Sequence, residues 1–181
     1  LGALGVEPGR YALMTLHRPS NVDEPQALDE LIAAFRALDG RLPAVFPVHP
    51  RTRQRFEAFG LGPTLAGLGH LRLTEPLGYL DFLQLMANAR LVLTDSGGIQ
   101  EETTVLGVPC LTLRENTERP VTITHGTNRL VGMRAQRIIE GAEQVLRNGK
   151  VRASHVPPLW DGHAAERIVE VLARVATGRQ G

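Results

Sequence analysis

Short runs of consecutive apolar residues alternate with longer stretches in which apolar residues recur every three or four positions. Tyr11–Leu16 (YALMTL) is continuously apolar apart from one threonine, and Pro8-Gly9 and His17-Arg18-Pro19 bound it, which predicts a buried strand. Over Pro25–Leu38 the apolar positions Leu28, Leu31, Ile32, Phe35 and Leu38 fall on one helical stripe. Ala44–Val48 reads as a second strand, although Pro47 within it argues for an edge or a strand end. A short charged helix over Arg51–Phe59 follows, then a strand at Leu71–Leu73 and a helix at Tyr79–Ala89 with Leu80, Leu83 and Met86 on one side. Leu91–Leu93 is the next strand and Gly98–Leu106 the next helix, followed by strands at Cys110–Leu113 and Asn128–Val131 and a helix at Ala135–Leu146. The pattern closes with an amphipathic helix over Gly162–Ala176, whose apolar face holds Ala165, Ile168, Val169, Leu172 and Val175.

Strand alternating with helix, with strands that are apolar throughout, predicts an α/β fold: a parallel sheet covered on both faces, the doubly wound arrangement. No repeat, low-complexity tract or change of composition divides the chain, so 1–181 reads as one domain. In such folds ligands bind beyond the carboxyl ends of the strands. The residues after each predicted strand are His17-Arg18, His49, Glu75, Asp95-Ser96-Gly97-Gly98, and Arg114 with Glu118-Arg119. Two histidines, arginines, carboxylates and a Gly-Gly turn therefore converge on one edge.

Composition narrows the function classes. One cysteine in 181 residues excludes a disulfide framework and a multi-cysteine zinc site, and the spacing of the six histidines resembles no metal motif. Twenty basic against 19 acidic residues give a net charge of +1, which makes no bulk electrostatic case for nucleic acid or an anionic membrane. No apolar run approaches the roughly 20 residues needed to span a bilayer, and no signal peptide is visible, so a cytoplasmic location is expected. The chain starts at Leu1 rather than Met, which suggests a piece of a longer protein. Walker A, GxSxG and GxGxxG patterns do not occur.

The sharpest element is Asp95-Ser96-Gly97-Gly98-Ile99-Gln100-Glu101-Glu102. Two glycines at a strand-to-helix turn let a ligand approach the backbone, and the helix N-terminus favours an anion, so the turn suits a phosphate. Ser96 either adds a hydroxyl to that site or simply caps the helix. Glu102, one helical turn on, is placed to accept hydrogen bonds from sugar hydroxyls. His17 fits proton transfer or phosphate contact, or a backbone-bonded loop role; His49, between Val48 and Pro50, has the stronger structural reading. Arg119 either clamps a diphosphate or pairs with its neighbour Glu118, and Cys110 reads as buried and inert.

Taken together, LTDSGGIQEE (Leu93–Glu102), LGVPCLTLRENTERP (Leu106–Pro120) and GTNRLVG (Gly126–Gly132), with MTLHRPSNVD (Met14–Asp23) and FPVHPRT (Phe46–Thr52) upstream, resemble the non-hydrolysing UDP-N-acetylglucosamine 2-epimerases. The resemblance covers nearly the whole chain. It implies a Rossmann-like sheet forming one half of a two-domain enzyme of the GT-B type, here the C-terminal, UDP-binding half without its N-terminal domain. The implied reaction inverts C2 of UDP-GlcNAc to give UDP-ManNAc, by eliminating UDP to 2-acetamidoglucal and adding it back, with no cofactor and no metal. By position, Ser96, Gly97 and Gly98 match the diphosphate turn, Glu102 the ribose carboxylate and Arg119 the arginine near the phosphates. Phe82 and the backbone around Leu77 match the uracil site. His17 matches the catalytic histidine, while Arg18 and His49 match the rim near an activating second UDP-GlcNAc. The resemblance also implies a homodimer at full length and places the acid and base carboxylates in the missing half. This chain departs from the family's frequent HRRE at His17-Arg18-Pro19-Ser20 and from TERPE at Thr117–Val121, which ends in valine. A donor-nucleotide domain of a GT-B glycosyltransferase and a hydrolysing epimerase releasing ManNAc are the alternatives.

Overall fold

The computed structural model describes residues 1–38, 40–148 and 157–178. Six strands, β1 (Ala12–Thr15), β2 (Ala44–Pro47), β3 (Leu71–Thr74), β4 (Leu91–Thr94), β5 (Cys110–Thr112) and β6 (Asn128–Leu130), form one sheet in the order β3-β2-β1-β4-β5-β6. Every pairing is parallel. This is the doubly wound Rossmann order, with its topological switch between β1 and β4.

Alternate strand residues serve opposite faces, as the two-residue period of a strand requires. Ala12, Met14, Ala44, Phe46, Leu91, Leu93 and Leu111 point into one core with α2 (Pro25–Leu38), α3 (Pro50–Ala58) and α8 (Ala135–Asn148). Leu13, Val45, Val92 and Cys110 point into the other, against Leu85 and Met86 of α5 (Tyr79–Asn88) and Ile99 of α6 (Gly97–Leu106). Burial on both sides explains why β1, β2, β4 and β5 read as unbroken apolar runs, whereas the edge strands β3 and β6 are partly exposed.

Pro47 does lie in the sheet, at the last residue of the interior strand β2. Ala44 and Val48 donate their amides toward β3, to His70 and Thr74, so the position of Pro47 turns its nitrogen toward β1. Pairing of β2 with β1 has ended by then, at Leu13↔Val45, and no ladder bond is lost. Three short elements carry no periodic signal and go unpredicted, a 3-10 turn at Gly2–Leu4, α1 (Pro19–Val22) and α4 (Gly62–Ala66), while α7 (Pro120–Thr124) begins after Arg119, where the proline that follows that residue signals a helix start. The final helix, α9 (Ala164–Gly178), is amphipathic as expected, but its apolar residues Ile168, Val169, Leu172 and Val175 are all more than half exposed. Among the described residues no helix is long and apolar enough to cross a membrane.

Candidate functional site

At the carboxyl edge, β1 and β4 run side by side with Thr15 opposite Thr94. The two residues that follow them, His17 and Asp95, are thereby delivered to the same place at the switch point. Asp95 is fully buried. The His17 amide donates to its Oδ2 at 3.0 Å and the Arg18 amide to the same oxygen at 2.8 Å. Asn21 Nδ2 adds a longer bond at 3.3 Å and also donates to the Leu113 carbonyl at the end of β5. His17 Nδ1 lies 3.1 Å from Asp95 Oδ1. A carboxylate at Nδ1 fixes the tautomer that carries a proton there and leaves Nε2 to face a ligand.

The electrostatics follow from this grip. The hydrogen bond to Asp95 raises the His17 pKa above the ordinary imidazole value, against the opposing pull of partial burial and of Arg18. Burial alone would push the Asp95 carboxyl up. The bonds from the His17 ring and from the Arg18 and His17 amides outweigh it and hold Asp95 below the usual carboxylate range. His49 follows β2 and caps α3, its Nδ1 accepting from the Arg51 amide at 3.2 Å, which is the structural role expected of it. Its ring also stands 5.6 Å from that of His17, so both histidines belong to one cluster.

The turn after β4 behaves differently from a plain helix start. Ser96 occupies the N-cap of α6, but its side chain makes no capping hydrogen bond. The capping alternative therefore fails. Neither Gly97 nor Gly98 has positive φ. A Cβ on Gly97 would meet nothing within 4 Å, and one on Gly98 only Ser96 Oγ at 3.9 Å. Neither conformation nor packing within the chain demands glycine here, although two glycines weaken a helix relative to alanine. What they keep open is close approach of something external to the first amides of α6.

Glu102 and Arg119 flank that turn. Glu102 Oε1 accepts a long bond, 3.4 Å, from Tyr79 Oη, while Oε2 is buried without a partner. Tyr79 opens α5, which brings Leu77 and Phe82, both partly buried against the same core as Ile99, alongside the helix that carries Glu102. Arg119 does not pair with the carboxylate of its neighbour Glu118, as one alternative had it, and meets only that residue's carbonyl, through Nη1 at 3.3 Å. Glu118 turns to Arg114, which holds it with two bonds of 2.7 and 2.8 Å and, as the main cause, lowers its pKa to about 2. Arg18 stands 3.8 Å from the same carboxylate. Arg119 instead reaches across to α6, where its Nε lies 2.5 Å from Glu101 Oε1. That contact is a close ion pair between the guanidinium and the carboxylate.

One orphaned polar atom, the Oε2 acceptor of Glu102, thus borders an open helix N-terminus, with the Arg119–Glu101 ion pair beside it. Such groups are costly to bury unpaired and are normally satisfied by something. The residues expected at the strand ends, Asp95 and Arg114 among them, are brought to one edge, and Tyr79, which the sequence did not single out, joins them. Asp95 had a sequence signal, an acidic residue ending a strand before a glycine turn, but its partner depends on which strand lies beside β4.

The sequence profile of the UDP-N-acetylglucosamine 2-epimerase family matches residues 2–173. The chain belongs to that family. The UDP-N-acetylglucosamine 2-epimerase of Methanocaldococcus jannaschii is 42% identical over 164 residues, covering 90% of this chain and 44% of the relative. A crystal structure of the enzyme from that organism, in complex with UDP-GlcNAc and UDP, superposes with a TM-score of 0.75 at 41% identity, covering 90% of this chain and 45% of that one. A Pseudomonas aeruginosa UDP-2,3-diacetamido-2,3-dideoxy-D-glucuronate 2-epimerase is 37% identical over 166 residues, 91% of this chain and 45% of the relative. The chain therefore spans less than half the length of the family members it matches.

Proposed function

We propose that this chain is the C-terminal, nucleotide-holding half of a UDP-GlcNAc 2-epimerase, and that its site binds the UDP moiety. The observation that carries the reading is the α6 turn: two glycines with no internal need for glycine, beside an uncommitted Ser96 hydroxyl and the unpartnered Glu102 Oε2. The first amides of α6 meet the diphosphate, Arg119 adds charge to it, and Glu102 accepts from the ribose hydroxyls. Leu77 and Phe82 border the uracil.

In the reaction proposed for the whole protein, the bond between sugar C1 and the diphosphate oxygen breaks as the C2 proton is removed. This leaves 2-acetamidoglucal and UDP. UDP then adds back to C1 while a proton returns to C2 from the opposite face. Negative charge grows on the departing diphosphate, where a helix N-terminus, Arg119 and a protonated His17 stabilise it most. With Asp95 on Nδ1, His17 presents Nε2–H outward as a hydrogen-bond donor, and Arg18 and His49 form the rim behind it. The carboxylates that move the C2 proton belong to the part of the family's length outside this chain, which also supplies the dimer. The chain alone is therefore inactive but binds UDP. The Pseudomonas relative favours one variant of this reading, in which another UDP-2-acetamido sugar is the substrate.

A helix N-terminus contributes up to about 2 kcal/mol to anion binding. One charge-assisted set of hydrogen bonds adds about 1.5–3 kcal/mol. Their sum corresponds to an affinity on the order of millimolar. Calorimetric titration with UDP tests the binding, and Glu102→Ala should weaken UDP more than inorganic diphosphate. No heat at several millimolar UDP, or equal losses for both ligands, sinks the assignment. Formation of UDP-ManNAc by the chain alone sinks the claim of inactivity.

A further inference from the structure

Gln100, in the first turn of α6, has no exposed surface, yet both ends of its side-chain amide are engaged. Nε2 donates to the Ser96 carbonyl at 3.2 Å, on the turn itself. Oε1 accepts from the Thr117 hydroxyl at 2.6 Å. The Thr117 oxygen in turn accepts the Arg119 amide N–H at 2.9 Å. A hydroxyl has one proton to give. That proton goes to Gln100, so the lone pair is what holds Arg119, and the chain of bonds runs in one direction. Gln100 is held in its turn from below, because its carbonyl accepts from Asn128 Nδ2 and from the Thr103 and Thr104 hydroxyls.

Little else ties the arginine's segment to α6. Arg119 is the N-cap of the five-residue α7 with no side-chain cap of its own. Among the described residues, its direct polar link to α6 is the ion pair with Glu101, which is half exposed on both sides. That contact holds the guanidinium; the Gln100–Thr117 relay holds the backbone from which it springs.

We propose that Gln100 and Thr117 are positioning residues that set Arg119 against the Ser96–Gly98 turn, so that the two anion-binding elements approach a diphosphate together. The proposal rests on reading that turn as the diphosphate site. Neither residue touches the ligand; both act through Arg119.

The test uses Thr117→Val, which keeps the shape and removes the relay, and Thr117→Ser, which restores the hydroxyl. Binding is followed by amide chemical-shift titration of the 15N-labelled chain with UDP and with uridine. Thr117→Val should raise the dissociation constant for UDP about fivefold to tenfold, the value of one hydrogen bond, and leave uridine unchanged. Thr117→Ser should bind UDP within about twofold of the parent, since it keeps the bond. In an Arg119→Ala background Thr117→Val should cost nothing further, because a residue acting through Arg119 has nothing left to act on. Equal weakening of UDP and uridine, or the same loss with and without Arg119, overturns the proposal in favour of general loosening. Amide hydrogen exchange at Arg119 without ligand separates the tie from its purpose. Thr117→Val should speed it and Thr117→Ser should not, and unchanged exchange in Thr117→Val overturns the relay whatever binds. If the exchange result holds but the parent chain ignores UDP, the diphosphate reading is what fails.

Discussion

Replacing Asp95 by asparagine changes one oxygen for a nitrogen at the most densely contacted carboxylate of the site. Oδ2 accepts from the amides of His17 and Arg18 and from Asn21, while Oδ1 faces His17 Nδ1. An asparagine has one acceptor oxygen, and the arrangement that saves most bonds puts it at the Oδ2 position. Its NH2 group then confronts Nδ1, which can be accommodated only if His17 gives up that proton. Asp95→Asn should therefore move the His17 titration midpoint from above the ordinary value of about 6.5 to below it. Losing one charge-assisted bond costs about 1.5–3 kcal/mol, and weakening the two amide contacts brings the total to about 2–4 kcal/mol. At about 2–4 °C per kcal/mol for a domain this size, Tm should fall by about 4–16 °C near pH 6. Because the His17 pKa is raised in the fold, its contribution is complete below about 6.5 and disappears as pH rises through the raised value. Asp95 has a lowered pKa, so its contribution is present above the usual carboxylate value and is lost as pH falls through the lowered one. The gap between the two proteins should be widest between these limits and should narrow toward pH 9. Thermal unfolding by circular dichroism across pH 5–9, with NMR titration of the His17 ring, measures both quantities. A His17 midpoint at or above the parent's, or a Tm gap constant with pH, refutes the reasoning.

Gly98→Ala should stabilise the chain by about 0.4–1 kcal/mol, since φ is negative and the space for a methyl group is empty, while weakening UDP at least several-fold. Denaturant melts and calorimetry separate the two effects, and a variant that loses stability contradicts the account of the turn. Cys110 is 1% exposed and burial pushes its thiol up to about 12. It should resist a thiol reagent at pH 8 in the native chain and react fully in denaturant; rapid native labelling would show the second core to be open.

The sheet was legible from sequence because its four inner strands are buried on both faces and its longer helices carry a clear stripe. What stayed hidden was either too short or too distant. Pro19–Val22 and Gly62–Ala66 are single turns, shorter than any helical period can register. The pairing of Arg119 shows the other limit. Its sequence neighbour Glu118 was the obvious partner, but successive residues of a non-helical segment point apart, and Glu118 went to Arg114 while Arg119 crossed to Glu101. Asp95 was visible as a residue but not as the holder of His17, because that depends on β1 lying beside β4. The stripe on α9 announced an apolar face correctly and said nothing about where that face would lie.

The first turn of α6 begins on two glycines, without a side-chain cap, at an exposed edge of an otherwise well-buried sheet. Gln100 anchors that turn from below, but the amides ahead of it have no acceptor in the helix and exchange more readily than those of the strands beneath. An anion seated there would satisfy the very N–H groups that the chain leaves unpaired. Occupancy would then protect those first amides from exchange, with hardly a change in the coordinates. On the proposed reading an anion would complete the helix, and exchange of its first amides would report whether the anion is present.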